Sequence, residues 1–100
     1  MSKCYIAGKI GNLPIELVKD QFETAKIEVA KLGLVPVSPL DLPHQHERTW
    51  EAYMREDLTA MLQCTHVYAL RNWRLSPGAT IEIETALKVG INVIHQRANG

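Results

Sequence analysis

A chain of 100 residues has room for one domain, spanning 1–100, and its 46% apolar residues suffice to bury one core. Eleven basic and eleven acidic residues cancel, with no basic run, which excludes a nucleic-acid polymer as partner. No apolar run approaches the ~18 residues of a membrane span. The start Met-Ser-Lys-Cys-Tyr-Ile-Ala-Gly has no signal-peptide shape, so a cytoplasmic protein is expected, with Cys4 and Cys64 as buried reduced thiols.

In chain order, Lys3 to Ala7 is short, apolar and β-prone, and Gly8 ends it: a first strand. Pro14 opens a helix at its first turn. Val18, Phe22, Ala25, Val29 and Leu32 follow at helical steps as one apolar stripe, and Gly33 stops it. Leu34 to Val37 is a second strand; Pro36 within it donates no ladder hydrogen bond, which predicts a sheet edge. Ser38 to Arg48 is a polar loop. A helix over Thr49 to Gln63 follows, capped by Thr49, with Trp50, Tyr53, Met54, Leu58, Met61 and Leu62 on its apolar side. His66 to Leu70 is the third strand and Arg71 to Leu75 a loop. A last helix opens at Ser76-Pro77-Gly78 and ends at Gly90, and Ile91 to His95 is the fourth strand. Gln96 to Gly100 reads as a frayed tail.

Strands alternating with helices predict an α/β, flavodoxin- or Rossmann-like three-layer sandwich with a short parallel sheet and right-handed crossovers. With the second strand at an edge, the strand order is 2-1-3-4. The switch point then lies between strands 1 and 3, where ligands of such sheets bind. Gly8 to Asn12 and Arg71 to Gly78 face each other across it.

The last helix carries the chemistry. Ser76 caps it, Pro77 fits its first turn, and Gly78 lets a ligand approach its positive end, an anion site. At ~100° per residue, Ala79, Ile83, Ala86, Leu87 and Gly90 define a core stripe with Glu82 at its margin, whereas Glu84 points to solvent. Burial and the helix dipole push the Glu82 pKa in opposite directions. Asp57 has a similar place among Tyr53, Met54 and Met61, and from near the end of the first strand the Tyr5 hydroxyl could reach the crevice and hold a carboxylate. His44 and His46 have metal-ligand spacing, but no third ligand is evident and no metal is expected. Two carboxylates at one crevice are equipment for retaining cleavage of a glycosidic bond.

Tyr5-Ile-Ala-Gly8, then Asp57 within Tyr53-Met-Arg-Glu-Asp-Leu58, then Ser76-x-Gly78-x-x-x-Glu82 resemble the successive motifs of the nucleoside 2-deoxyribosyltransferase superfamily, which includes 2'-deoxynucleoside 5'-phosphate N-hydrolases. Trp73, shortly before the Ser-x-Gly-Ala, is similar to a small branch common in phages and prophages. The resemblance implies cleavage or transfer at the N-glycosidic bond of a 2'-deoxynucleoside or its 5'-monophosphate. Glu82 would be the nucleophile, Asp57 the acid assisting the leaving base, and Tyr5 the residue orienting Glu82. Gly8, Lys9, Ile10, Trp73, Ser76 and Gly78 would line the substrate site. Neither metal nor organic cofactor is implied. Members of the superfamily continue past the fourth strand and complete a neighbouring subunit's site, which implies a homodimer or higher oligomer. In this sequence the His44–Arg48 loop would have to complete the site, or the site is incomplete. The alternative is a non-catalytic nucleotide-binding module with the same pocket.

Overall fold

The structure is a computed structural model and describes residues 1–97. Its elements are β1 (Lys3–Ala7), α1 (Ile15–Lys31), β2 (Val35–Val37), α2 (Trp50–Leu62), β3 (His66–Ala69), α3 (Pro77–Lys88) and β4 (Asn92–His95). Pro39–Asp41 and Trp73–Leu75 are single 3-10 turns within the two loops. The sheet is parallel throughout, in the order β2-β1-β3-β4, as the element pattern predicts. Pro36 lies in β2, at the edge, opposite Cys4.

The two-residue period of the strands sorts the core into two halves. Cys4 and Ile6 of β1, with Tyr68 and Leu70, pack on Val18, Phe22, Ala25 and Val29 of α1. Tyr5 and Ala7, with Val67 and Ala69, pack on Met61 of α2 and on Ala79, Ile83 and Ala86 of α3. One helix therefore covers one face and two cover the other: three layers. Burying a side chain such as Val18, Phe22 or Val29 contributes about 1.5–3 kcal/mol against leaving it wet. That burial, more than propensity, holds α1 in place. Gly33 and Gly90 end α1 and α3 with φ of +80°, the left-handed turn that reverses the chain toward β2 and β4.

Several expectations need correction. Pro14 is the N-cap of α1 and precedes its first turn. Leu32, Trp50, Leu62 and Leu87 are all more than half exposed and lie outside the core. The first belongs to the helix cap, where the stripe has already ended. Gln96 is not frayed: its N–H donates to the Ala69 carbonyl at 2.9 Å, its Nε2 donates to Glu28 at 2.9 Å, and its Oε1 accepts from the Arg71 N–H. The rest of the expected frayed tail, residues 98–100, lies outside the described residues. Cys4 and Cys64 are buried and free, and burial pushes the Cys4 thiol up to about 12. No helix among the described residues is long and apolar enough to cross a membrane.

Candidate active site

Tyr5 points to the α2–α3 side of the sheet because its neighbours Cys4 and Ile6 point to α1. Its ring fills the core at 0% exposure, and its hydroxyl emerges at the carboxyl end of β1. There it donates to Glu82 Oε2 at 2.7 Å. Glu82 is itself only 4% exposed, so it is part of the buried face of α3. The helix is rotated relative to the stripe read from sequence, bringing Glu82 in and putting Leu87 out. Glu84 is exposed, as expected.

A pocket of about 620 Å³ opens above this pair, at the carboxyl end of β1, between the loops that follow β1 and β2 and the start of α3. That volume lies within the range of small-molecule sites. Tyr5, Asp57 and Glu82 line it, together with Gly8, Lys9, Ile10, Ser76 and Gly78. Its wall is closed by Pro39, Leu40 and His44 from the Ser38–Arg48 loop and by Trp50, Tyr53 and Met54 from α2. Trp73 is the exception among the expected lining residues. It packs against the core beneath α3, 6.1 Å from His95, with the Arg74 guanidinium 4.4 Å over its ring. The 3-10 turn after β3 aims it there, and Trp50 supplies the pocket's indole instead.

The two crevice loops are joined. The Lys9 N–H donates to Asn72 Oδ1 at 3.1 Å, and Lys9 Nζ donates to the Leu75 carbonyl at 3.2 Å, which fixes an ammonium beside the α3 opening. At that opening Ser76 Oγ accepts from the Ala79 N–H. Pro77 has no N–H and the Thr80 N–H returns to the Ser76 carbonyl. The backbone donor left for a ligand is therefore that of Gly78, a narrower anion site than the sequence suggests. A Cβ on Gly78 would stand 3.0 Å from Met54 Sδ, so the close docking of α3 on α2 also calls for glycine. A Cβ on Gly8 would strike the Leu70 side chain at 2.4 Å, a packing reason for that glycine besides its place in the pocket.

Burial governs the acid–base character of the site. It pushes the Glu82 carboxyl up to about 8, partly offset by the Tyr5 hydrogen bond, with the nearby Asp57 adding to the rise. Asp57 is 8% exposed, and its Oδ1 has no hydrogen-bond partner among the described residues. Burial raises it to about 6, while His44 and His46 pull it down. Burial and the two carboxylates raise the Tyr5 hydroxyl well above its ordinary value, so it stays a donor. The site thus combines two buried carboxyls, a fixed phenol and, at its rim, the Lys9 ammonium and the Gly78 N–H.

One group escaped the sequence analysis. Glu56, adjacent to Asp57, accepts the His44 N–H at 3.1 Å on Oε2 and turns Oε1 toward both His44 and His46. The missing third partner of the histidine pair is on α2, across a loop, where only its position next to Asp57 could have hinted at it.

The family described as "Domain of unknown function (DUF4406)" matches residues 2–95. No curated protein matches the chain. The fold is similar to that of the 2-deoxyribosyltransferase of the psychrotolerant bacterium Bacillus psychrosaccharolyticus, with a TM-score of 0.70 and 20% identity, over 98% of this chain and 77% of that one.

Proposed function

This chain belongs to the DUF4406 family, whose description assigns no activity, and we propose from its site that it breaks or transfers the N-glycosidic bond of a 2'-deoxynucleoside or its 5'-monophosphate. The observation that carries this reading is Glu82, a buried carboxyl at the floor of a ligand-sized pocket, held on one oxygen by Tyr5. The fold shared with a 2-deoxyribosyltransferase supports it.

In the proposed reaction Glu82, once ionised, attacks the anomeric carbon through Oε1 while Tyr5 holds Oε2. The carbon–nitrogen bond breaks, its electron pair leaves with the base, and the base nitrogen takes a proton from Asp57. A glycosyl ester remains on Glu82. Water, or the N–H nitrogen of a second base, then attacks the anomeric carbon and passes its proton to Asp57 as the ester bond to Glu82 breaks. Deoxyribose (or its 5-phosphate) or a new nucleoside leaves, with Glu82 and Asp57 both regenerated. Lys9, the Ser76 hydroxyl and the Gly78 N–H would hold the 5'-phosphate or 5'-hydroxyl at the rim. Trp50 and Tyr53 offer aromatic faces for the base.

A second reading, a non-catalytic nucleotide-binding module, is favoured by the burial of Glu82, which pushes its carboxyl up to about 8 and so opposes the ionised form near neutral pH. One experiment separates the two. Incubation with a panel of deoxynucleosides and their 5'-monophosphates, followed by chromatography for free base, should show release by the native chain. Glu82→Gln should abolish release with the fold intact, and Glu84→Gln should leave it near the native rate. Binding without release in the native chain supports the module instead, and equal effects of the two substitutions exclude Glu82 as nucleophile.

A further inference from the structure

We propose that His44, His46 and Glu56 form a binding site for a divalent transition-metal ion of the zinc type, which pins the 38–48 loop to α2 at the pocket wall. His44 Nδ1, His46 Nε2 and a Glu56 carboxylate oxygen lie within 4.8 Å of one another. His44 Nε2 lies 2.7 Å from the Pro39 carbonyl, and His46 Nδ1 lies 2.6 Å from the Glu47 carbonyl. A carbonyl can only accept, so each imidazole carries a proton on its carbonyl-facing nitrogen. The other ring nitrogens, His44 Nδ1 and His46 Nε2, face the Glu56 carboxylate, where a metal ion can take the place of any proton they carry. Three atoms able to ligate a metal converge on one point, which a cation can occupy.

The geometry suits zinc. His46 Nε2 is 3.3 Å from Glu56 Oε1, close to the ~3.3 Å donor separation of a tetrahedral site with bonds of ~2.0 Å. His44 Nδ1 is 2.5 Å from the same oxygen but has no hydrogen-bond partner, so it must withdraw by under ~1 Å to ligate. Two imidazoles and one carboxylate leave a fourth position for water, a donor set that suits zinc and its neighbours better than calcium or magnesium. The backbone carbonyls behind the rings are the outer partners that such histidines need to fix their tautomers. Tyr53 packs edge-on against His46, with ring centres 4.6 Å apart, and tilted against His44 at 5.1 Å, which limits rotation of both rings.

The ion takes no part in breaking the glycosidic bond. It fixes His44, which lines the pocket and sits in a left-handed conformation with φ of 52°, and with it the loop wall facing Asp57. The inference stands without the proposed activity, because its readouts are metal binding and thermal stability.

Chelator-treated full-length chain is titrated with zinc by calorimetry and with cobalt(II) by visible absorption, and melted with and without one equivalent of zinc. One ion per chain, the intense bands of four-coordinate cobalt, and a zinc-dependent rise in Tm are expected. His46→Ala should weaken binding by at least the ~10-fold that loss of an outer-shell partner brings. Glu56→Gln is the control for folding. Its amide can still accept the His44 N–H and can donate to an imidazole lone pair, so the metal-free chain should fold while the cobalt bands and the zinc-dependent Tm rise disappear. No stoichiometric binding in the native chain overturns the proposal. So does binding that persists undiminished in the double variant His44→Ala, His46→Ala.

Discussion

Glu82 occupies a helix position that the core would ordinarily fill with an apolar side chain, and its titration should report that placement. The groups facing it are Tyr5 from β1 and Asp57 from α2. Its carboxyl moves from an ordinary 4.5 to about 8 in the folded chain, with burial the largest cause. A raised acid holds its proton in the folded state at pH values where the unfolded chain has lost it. Its contribution is therefore fully present below pH 4.5 and is lost progressively up to about pH 8, at up to ~1.4 kcal/mol per pH unit. Glu82→Gln does not titrate there. Its Tm should match the native chain near pH 4 and exceed it by several degrees at pH 8, as thermal melts across that range will show; parallel pH curves for the two chains would refute the buried titration. The proposed nucleophile must be ionised and the proposed acid, Asp57, protonated, so base release should rise to a plateau between about pH 6 and 8 and fall above it. Tyr5→Phe removes the hydrogen bond that favours the carboxylate, so the midpoint of the upper limb should move to higher pH. A midpoint that moves down, or not at all, contradicts the role given to Tyr5.

At the scale of elements, the opening of α3 is where local rules and tertiary docking part. The periods of the chain define all seven elements to within a residue or two, and one proline, Pro36, was enough to place β2 at the edge and so to order the sheet. The phase of α3 was not legible. Glu82 and Leu87 lie at opposite margins of the stripe centred near Ala79, at about −60° and +80°. Apolar preference selects the leucine, whereas docking on Met54 and Tyr5 turns the glutamate inward. The choice of pocket indole was equally hidden, because Trp50 and Trp73 each sit near a helix start and only the turn after β3 separates their directions. The third histidine partner, Glu56, is non-local by 12 residues, beyond any periodic signal. With Pro77 lacking an N–H and Ala79 capped, the α3 opening offers the Gly78 N–H, and the proposed phosphate site therefore leans on Lys9. In crystals grown with sulfate, an anion should sit between the Gly78 N–H and Lys9 Nζ. Lys9→Met should raise KM about tenfold for a 5'-monophosphate, the ~1.4 kcal/mol of one charge-assisted contact, and change it little for the unphosphorylated nucleoside. Equal changes for both substrates would remove Lys9 from phosphate binding.

The whole molecule leaves one helix face unexplained. On α3, Ile81 is 37% and Val89 56% exposed, with half-buried Thr85 between them. Among the described residues no segment covers this strip: Trp50 faces the pocket, Trp73 packs against the core, and the 38–48 loop is drawn to α2 by Glu56 and to α1 by the 2.8 Å contact of Lys26 with Asp41. The occupant we expect is a second copy of the chain. A two-fold contact pairs such a strip with itself, needs no charge complement, and is the commonest closed arrangement. The strip is centred only ~60° around α3 from Glu82, so the second copy would stand beside the pocket rim and narrow its opening. Assembly and activity are therefore coupled in this arrangement. Light scattering at micromolar concentration should give a dimer mass for the native chain. Ile81→Lys should give a monomer with unchanged secondary structure by circular dichroism and with base release at least several-fold slower, because one wall of the opening is lost. A native chain that scatters as a monomer, with Ile81→Lys equally soluble and equally active, would return the strip to the ordinary scatter of apolar side chains on a small domain.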